Sequence, residues 1–295
     1  MIGYSYAWDR SSHVIYWGND EHIHELWFTQ SSPVWHDADL TAVTGAPVSL
    51  VPMSGFEQGG AQHVIALALG GSAIWKLSFT PSGGWQAQNL TKLTGAVPGS
   101  LFEAVGIGRG DDFGLLVPYQ ADDGFLHALQ SPSGTGWTDL PISRLANAAA
   151  PSNGIDVFQS SGSFRLVVLY AVGYRLHELF WTEATGWSDV DVTASSGGPH
   201  FDNLYLGSGL FFEADASDRI FTHDQGGALW EYVRTRDDRW YVWKDLAYGA
   251  VATDGEVSAF AAPDDAAGNS YTEYVSYVAQ DRHLHVMDFT APWVA

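Results

Sequence analysis

The sequence lacks cysteine, contains only three lysines among its 295 residues and has no long apolar run. The missing cysteine excludes disulfides, thiolate metal sites and a cysteine nucleophile. Every apolar run falls short of the roughly 18 residues that a membrane-spanning helix requires. Acidic residues outnumber basic ones by 34 to 13, and the formal net charge of −21 argues against nucleic acid and anionic membrane surfaces as partners, since both are polyanions.

A secretory signal peptide is also missing from the first residues, MIGYSYAWDR, because no basic segment precedes an apolar one there. We therefore expect a cytoplasmic protein. The abundant residues are 13 tryptophans, 13 tyrosines, 15 phenylalanines and 32 glycines. Aromatic residues favour strands and glycine favours turns, so this composition predicts an all-β protein.

A short motif recurs along the whole chain. In HIHELWF, residues 22–28, polar and apolar residues alternate as in a half-buried strand. Related segments follow at steps of 50 to 55 residues, and their central residues are His24, Trp75, His127, His177, Trp230 and His285. A second marker keeps almost the same period at Trp35, Trp85, Trp137, Trp187, Trp240 and Trp293.

Each period resolves into four short strands separated by turn clusters. In the second period the strands are VSLVPMS, HVIALAL, AIWKLSF and WQAQNLT. Four short antiparallel strands in about 50 residues, repeated six times, predict a six-bladed β-propeller. We expect one domain over residues 1–295, with blades at approximately 1–47, 48–98, 99–150, 151–200, 201–254 and 255–295.

The histidines of the opening motif raise the question of a metal. His22 and His24 point to the same face of a strand, and a His-x-His pair is a zinc half-site. The pair recurs only as His283 and His285, in a different blade, and tryptophan takes the marker position elsewhere. Because tryptophan does not ligate metals, the pattern favours a packing role, and we predict neither a metal nor a cofactor.

Charged residues beside the marker vary between blades. Glutamate follows the marker at positions 25, 178 and 231, whereas three other blades have Lys76, Ala128 and Val286. A cationic residue lies twelve or thirteen positions before each glutamate, in the pairs His13–Glu25, Arg165–Glu178 and Arg219–Glu231. Neighbouring antiparallel strands would bring each pair side by side. The pairs are either surface ion pairs worth about 0–1 kcal/mol or polar clamps for hydroxyl groups.

With these residues the chain resembles the fungal fucose-specific lectins and related bacterial sugar-binding propellers. The resemblance covers the full length through blade number and repeat length, and the segment HVIYWGNDEHIHELWF…DLTAVTGAP carries it most closely. In that family an arginine and a glutamate on neighbouring strands hold the sugar hydroxyls, and an aromatic ring from the next blade stacks on the sugar. The resemblance implies three sites between blades: Arg165, Glu178 and Trp240; Arg219, Glu231 and Trp293; and His13, Glu25 and Trp85.

Two functions remain open. The first is a lectin that prefers fucose, and it leaves assembly into a homodimer open. The second follows from the loss of symmetry, since only two of six blades hold both arginine and glutamate. Some fungal biosynthetic proteins that resemble these lectins promote hetero-Diels–Alder couplings of a tropolone quinone methide to a terpene. Such an enzyme would need only an aromatic pocket for hydrophobic intermediates and a few hydrogen-bond donors, without a cofactor.

Overall fold

The structure is a computed structural model. It describes residues 2–6, 10–29, 31–99, 107–109, 114–131, 136–160, 165–200, 208–212, 216–224, 226–235, 237–244, 257–263 and 270–292. For some of these residues, Arg165 among them, only the backbone is described. The chain forms two compact units, Met1–Ile142 and Ser143–Ala295. Each unit contains three antiparallel sheets, so the single domain that the sequence predicts stays a prediction.

The first unit contains three four-stranded sheets whose strands follow sequence order. The first sheet consists of β1 (Ile2–Tyr6), β2 (Ser11–Trp17), β3 (Ile23–Thr29) and β4 (Ser32–Asp39). The second consists of β5 (Leu50–Gln58), β6 (Ala61–Ala68), β7 (Ile74–Thr80) and β8 (Gly84–Asn89). The third consists of β9 (Ile107–Arg109), β10 (Gly114–Gln120), β11 (Leu126–Ser131) and β12 (Thr138–Leu140).

The second unit repeats this arrangement. The fourth sheet consists of β13 (Asn153–Ser160), β14 (Arg165–Val172), β15 (Arg175–Thr182) and β16 (Gly186–Asp191). The fifth consists of β17 (Ser208–Phe212), β18 (Ser217–His223), β19 (Leu229–Arg234) and β20 (Trp240–Lys244). The sixth consists, in its described part, of β21 (Val257–Pro263), β22 (Ser270–Val278) and β23 (Leu284–Pro292). Each sheet lies within one predicted blade range, while Trp293, in the predicted outer strand of the last blade, lies outside the described residues.

Short helices follow four of the outer strands, which the absence of a helical period did not predict. They are α1 (Leu40–Thr44), α2 (Leu90–Thr94), α3 (Ile142–Leu145) and α4 (Val192–Ser196). The side chain of Asp39 accepts a hydrogen bond from the Ala42 amide at 2.9 Å and caps α1. Gly45 ends this helix with φ of 67°, a conformation that costs glycine little. Asn89 and Asp191 cap α2 and α4 in the same way.

These helices fix the start of the strand that carries the candidate site residues. The Thr41 hydroxyl of α1 accepts a hydrogen bond from the Ile23 amide at the start of β3, at 2.9 Å. Thr91 does the same for Ile74 at 2.8 Å, and Thr193 for Leu176 at 2.9 Å. The third strand of three sheets is therefore held at its first or second residue by the same bond.

Packing between neighbouring sheets completes the core. In the second unit Phe158 and Leu169 of the fourth sheet share one apolar cluster with Ile220 and Trp240 of the fifth. In the first unit, Leu67 of the second sheet shares a cluster with other buried residues of the second and third sheets. Burial of each such side chain stabilises the folded protein by about 1.5–3 kcal/mol. None of the helices within the described part of the chain has the length and apolarity needed to cross a membrane.

Candidate ligand-binding site

The three glutamates beside the marker occupy corresponding positions on the third strands of their sheets. Glu25 lies opposite Ile15 in the first sheet, and Glu231 lies opposite Phe221 in the fifth. Glu178 lies opposite Leu169 in the fourth sheet. All three are buried, so each carboxylate needs hydrogen bonds or a counter-charge to offset its desolvation.

The first sheet brings the predicted pair His13 and Glu25 together. The Nδ1 atom of His13 lies 2.7 Å from Oε1 of Glu25, and both side chains are buried. The Ser11 hydroxyl lies 2.5 Å from Nε2 of the same imidazole. The contact is diagonal across the two strands, because His13 lies directly opposite Trp27. The outcome is a buried polar chain of serine, histidine and glutamate.

The fifth sheet builds the same arrangement with arginine in place of histidine. Nη1 of Arg219 donates to Oε1 of Glu231 at 2.9 Å, and Nε donates to the Ser217 hydroxyl at 3.1 Å. Arg219 lies two residues before Phe221, which is opposite Glu231, as His13 lies two residues before the residue opposite Glu25. The predicted third member of this site, Trp293, lies outside the described residues, so the complete site stays a prediction.

The fourth sheet has a different register from the one that the spacing suggested. The segment that joins each glutamate to the residue opposite it is one residue shorter here than in the first and fifth sheets. Val167 therefore stands where His13 and Arg219 stand in their sheets. Arg165 therefore stands at the position of the serines. Its side chain is not among the described ones, and its contact with Glu178 stays a prediction.

Glu178 contacts a residue that the sequence did not single out. Nη1 of Arg234, on β19 of the next sheet, donates to Oε1 of Glu178 at 2.6 Å. Arg234 also donates through Nε to Oδ2 of Asp218 at 2.9 Å, and its Nη2 contacts the same carboxylate. The three side chains are buried, with Glu178 fully inaccessible. Two carboxylates thus share one guanidinium between the fourth and fifth sheets.

The electrostatics of this group favour the charged guanidinium. Burial alone would lower the pKa of Arg234, but the nearby carboxylates of Glu178 and Asp218 outweigh burial and raise the pKa above its ordinary value. The available signal for this residue was the segment YVRTRDDRW, which is rich in Arg and Asp immediately before the Trp240 marker. Its partner lies in another blade, so spacing within one repeat did not reveal it.

Glu178, Arg234 and Trp240 line one cavity of about 430 Å³. The guanidinium carbon of Arg234 lies 5.3 Å from the centre of the Trp240 ring, within the range of a cation–π contact. The turn between β19 and β20, closed by a 2.9 Å bond from the Asp238 amide to the Thr235 carbonyl, brings Asp238 to the rim. The remaining lining residues are Phe180, Val190, Ser195, Arg239 and Tyr241.

The lining suits a small ligand with both hydroxyl and C–H surfaces. A carboxylate accepts hydrogen bonds from hydroxyl groups, a guanidinium donates to them, and an aromatic ring covers C–H groups. The volume falls within the roughly 300–1,000 Å³ of typical ligand pockets. The structure therefore brings the predicted Glu178 and Trp240 to one cavity.

Trp85, the predicted third residue of the site with His13 and Glu25, packs in the core between the first two sheets. Its ring lies 5.7 Å from that of Phe79, and it contacts the apolar cluster that includes Ile15 and Leu77. These contacts account for a structural role. Its contact with a ligand stays a prediction.

The second sheet carries an opposite charge at the glutamate position. Lys76 lies opposite Ile65, as Glu25 lies opposite Ile15. Its Nζ atom lies 5.4 Å from the ring centre of Trp137, which immediately precedes β12 of the third sheet. His63 occupies the place of His13, and burial together with the charge of Lys76 lowers its pKa to about 4.

The marker histidines form a recurring network with tyrosine and aspartate. His24 bonds to Asp20 through Nε2 at 3.2 Å, and in the fifth sheet Trp230 donates to Asp224 at 3.0 Å, so tryptophan replaces histidine in the same function. Tyrosine rings lie against the histidines in the pairs Tyr16–His24, Tyr119–His127, Tyr170–His177 and Tyr277–His285.

The two histidines of the opening motif contact different carboxylates. His22 lies 2.7 Å from Oδ2 of Asp39, and this carboxylate raises the pKa of His22. Asp20, His24 and Asp39 hold ligand atoms within 4.8 Å of one another, which is compatible with a cation. The same Asp–His pairing recurs as Asp123–His127 and Asp281–His285, and the packing role of the marker histidines stays a prediction.

No family model matches the chain, and no curated protein matches its sequence. Solved structures of lectins are similar to it. The BP39L lectin from Burkholderia pseudomallei aligns with a TM-score of 0.67 and 14% identity, over 99% of this chain and 82% of that one. The Aleuria aurantia lectin, described as a six-bladed β-propeller with a novel fucose recognition mode, aligns with a TM-score of 0.58 and 13% identity, over 97% and 89%.

A third structure is the SapL1 lectin in complex with α-methyl fucoside, with a TM-score of 0.57 and 14% identity over 99% of this chain and 96% of that one. At this identity the alignments establish the fold. The six antiparallel sheets and these alignments confirm the prediction from the marker period: the chain has the six-bladed β-propeller fold.

Proposed function

We propose that this protein is a carbohydrate-binding lectin with a preference for fucose, and that one of its sites is the cavity between the fourth and fifth sheets. The observation that carries the proposal is the convergence of Glu178, Arg234 and Trp240 on one cavity of about 430 Å³. The fold supports it, because fucose recognition is described for the similar lectin of Aleuria aurantia. The net charge of −21 also suits a neutral ligand.

In the proposed complex the Arg234 guanidinium donates hydrogen bonds to the sugar, and the inaccessible Glu178 carboxylate holds that guanidinium in position. The Trp240 ring covers an apolar part of the sugar surface. The Asp218 carboxylate holds the guanidinium in place, so the site is largely formed before the sugar arrives.

Calorimetric titration with methyl α-L-fucoside tests this proposal. The unmodified protein should bind, and Glu178→Gln should weaken binding by about tenfold or more, since hydrogen bonds to charged groups contribute about 1.5–3 kcal/mol. Glu183→Gln is the matched control, because Glu183 is exposed in the turn after β15. Circular dichroism of both variants checks that the sheets are retained.

Two results would overturn parts of the proposal. If the unmodified protein binds neither the fucoside nor other neutral glycosides, it is not a lectin of this kind. If Glu178→Gln binds as tightly as Glu183→Gln does, the cavity between the fourth and fifth sheets is not the site.

The hypothesis that the protein is a hetero-Diels–Alderase stays a prediction, and the described cavities can be compared with what it requires. A second cavity of about 340 Å³ is lined by Val51, Met53, Leu67, Ala68, Leu69, Gly70 and Gly71. Its described lining is aliphatic, and it lacks the aromatic rings that the hypothesis requires. The Arg234 cavity, with its carboxylates, suits hydroxyl-rich ligands better than hydrophobic intermediates.

A further inference from the structure

The cleft between the second and third sheets has the reverse charge of the other described clefts. On β7, Lys76 stands at the position that glutamate occupies in the first, fourth and fifth sheets. The ring of Trp137, immediately before β12, lies near it, and Trp240 at the corresponding marker position lines the cavity of Glu178. The backbone frame is thus shared, and only the charge has changed.

The residue next to Lys76 does not balance its charge. His63 stands where His13 and Arg219 contact their glutamates, and it is only 7% exposed. Its pKa of about 4 leaves it neutral at pH 7. A neutral imidazole therefore lies beside a cation, whereas the first and fifth sheets place a basic side chain beside an anion.

Lys76 also has no carboxylate partner within 4.0 Å among the residues that the structure describes. This is unusual in a chain with 34 acidic residues and 13 basic ones. The side chain is half-buried, and its described contact is the Trp137 ring at 5.4 Å. A half-buried ammonium that has no counter-charge among the described residues favours the binding of an anion from solution.

A further polar group is available beside the ammonium. Gln88 lies opposite Lys76 on β8, and its Oε1 atom accepts a hydrogen bond from Nε1 of Trp137 at 3.1 Å. The amide nitrogen of Gln88 is then oriented as a donor. An ammonium and an amide donor together form a suitable pair for a carboxylate or a sulfate group.

We infer that the cleft formed by Lys76, Gln88 and Trp137 binds a sugar that carries an anionic group, a carboxylate or a sulfate ester. This inference rests on the proposed lectin function. The anionic group lies at the Lys76 ammonium and accepts a hydrogen bond from Gln88. The protein therefore has two kinds of site, one for neutral sugars and one for acidic sugars.

A glycan array with neutral fucosides, uronic and sialic acid glycans, their methyl esters and sulfated glycans tests the inference on the full chain. The protein should bind carboxylated or sulfated glycans, and Lys76→Met should weaken this binding by about tenfold or more. Methyl esters of the carboxylated glycans should bind weakly, since they lack the anion. The comparison of carboxylated with sulfated glycans identifies which anionic group the site takes.

Lys92→Met is the matched control, because Lys92 is an exposed lysine on α2 of the same blade. It should keep both kinds of binding, and Lys76→Met should keep fucoside binding. Fucoside binding without any binding of acidic glycans would overturn this inference and leave the lectin proposal intact. Loss of acidic-glycan binding in Lys92→Met to the same degree would also overturn it, whereas an absence of all glycan binding would overturn the lectin proposal itself.

Discussion

Two clefts of this propeller place opposite charges at corresponding backbone positions. Between the fourth and fifth sheets, the carboxylates of Glu178 and Asp218 share the guanidinium of Arg234. Between the second and third sheets, the Lys76 ammonium lies near Trp137 and close to a neutral imidazole. The register of the third strand fixes where the side chain stands, but it does not fix the charge.

The first and fifth sheets show how small the change can be within that frame. Both combine a serine, a basic side chain and a glutamate, with His13 in one and Arg219 in the other. Packing between sheets keeps the strands in place, so the polar residues vary without loss of the fold. A propeller can therefore acquire different ligand sites blade by blade.

Removal of the cation from each cleft, Arg234 in one and Lys76 in the other, should give the largest difference in the free energy of unfolding. Arg234→Met would leave two buried carboxylates without a counter-charge, and we expect it to lower the free energy of unfolding by about 3–5 kcal/mol. Lys76→Met removes a cation that holds no described carboxylate, and we expect a change below about 1 kcal/mol. Urea denaturation measures both values.

The control for this pair is Arg239→Met, whose side chain is 75% exposed. It should change the free energy of unfolding by about 0.5 kcal/mol or less. Equal losses in Arg234→Met and Lys76→Met would contradict the difference between the clefts.

The pH dependence of stability should have opposite signs at His63 in the first unit and at Asp156 in the second. The pKa of His63 is about 4 in the folded protein, against 6.5 for the ordinary side chain. Between these values the unfolded chain binds more protons, so the free energy of unfolding falls as the pH drops, by about 3–4 kcal/mol in total. This contribution is fully present above pH 6.5 and should be absent in His63→Leu, as denaturation across the pH range would show.

Asp156 should show the reverse behaviour in the second unit. It accepts hydrogen bonds from the amides of Gly209, in the fifth sheet, and Val157, both at 2.8 Å. Burial raises its pKa from 3.8 to about 6. The folded protein then binds more protons between these values, so the free energy of unfolding rises as the pH falls, by about 3 kcal/mol. A wild-type profile that parallels the Asp156→Asn profile between pH 7 and pH 4 would rule this out.

The sequence predicted the sheets well because the first marker lies on the third strand of every sheet. The period of the markers therefore follows the blades. The helices were missed because a five-residue helix is too short to show a period. Their signals were nevertheless present in Asp39, Asn89 and Asp191, which cap the helices, and in the glycines that end them.

The candidate site was less predictable for two physical reasons. A spacing of twelve residues located His13 with Glu25 and Arg219 with Glu231, since both hairpins have the same length. The hairpin before Glu178 is shorter by one residue, which moves Arg165 to another register. Arg234 reaches Glu178 from the next sheet, and no pattern within one repeat encodes the packing between sheets.

The smallest predicted effect tests whether Lys76 acts electrostatically on its neighbour. Burial is the larger cause of the lowered pKa of His63, and the charge of Lys76 is the smaller one. In Lys76→Met the pKa of His63 should therefore rise above about 4 while it stays below 6.5. Titration of the imidazole by NMR measures this shift, with Lys92→Met as the control that should leave it unchanged. An unchanged value in Lys76→Met would mean that the ammonium is too far or too well solvated to set the charge of this cleft, and the contrast with the Arg234 cleft would then reduce to burial alone.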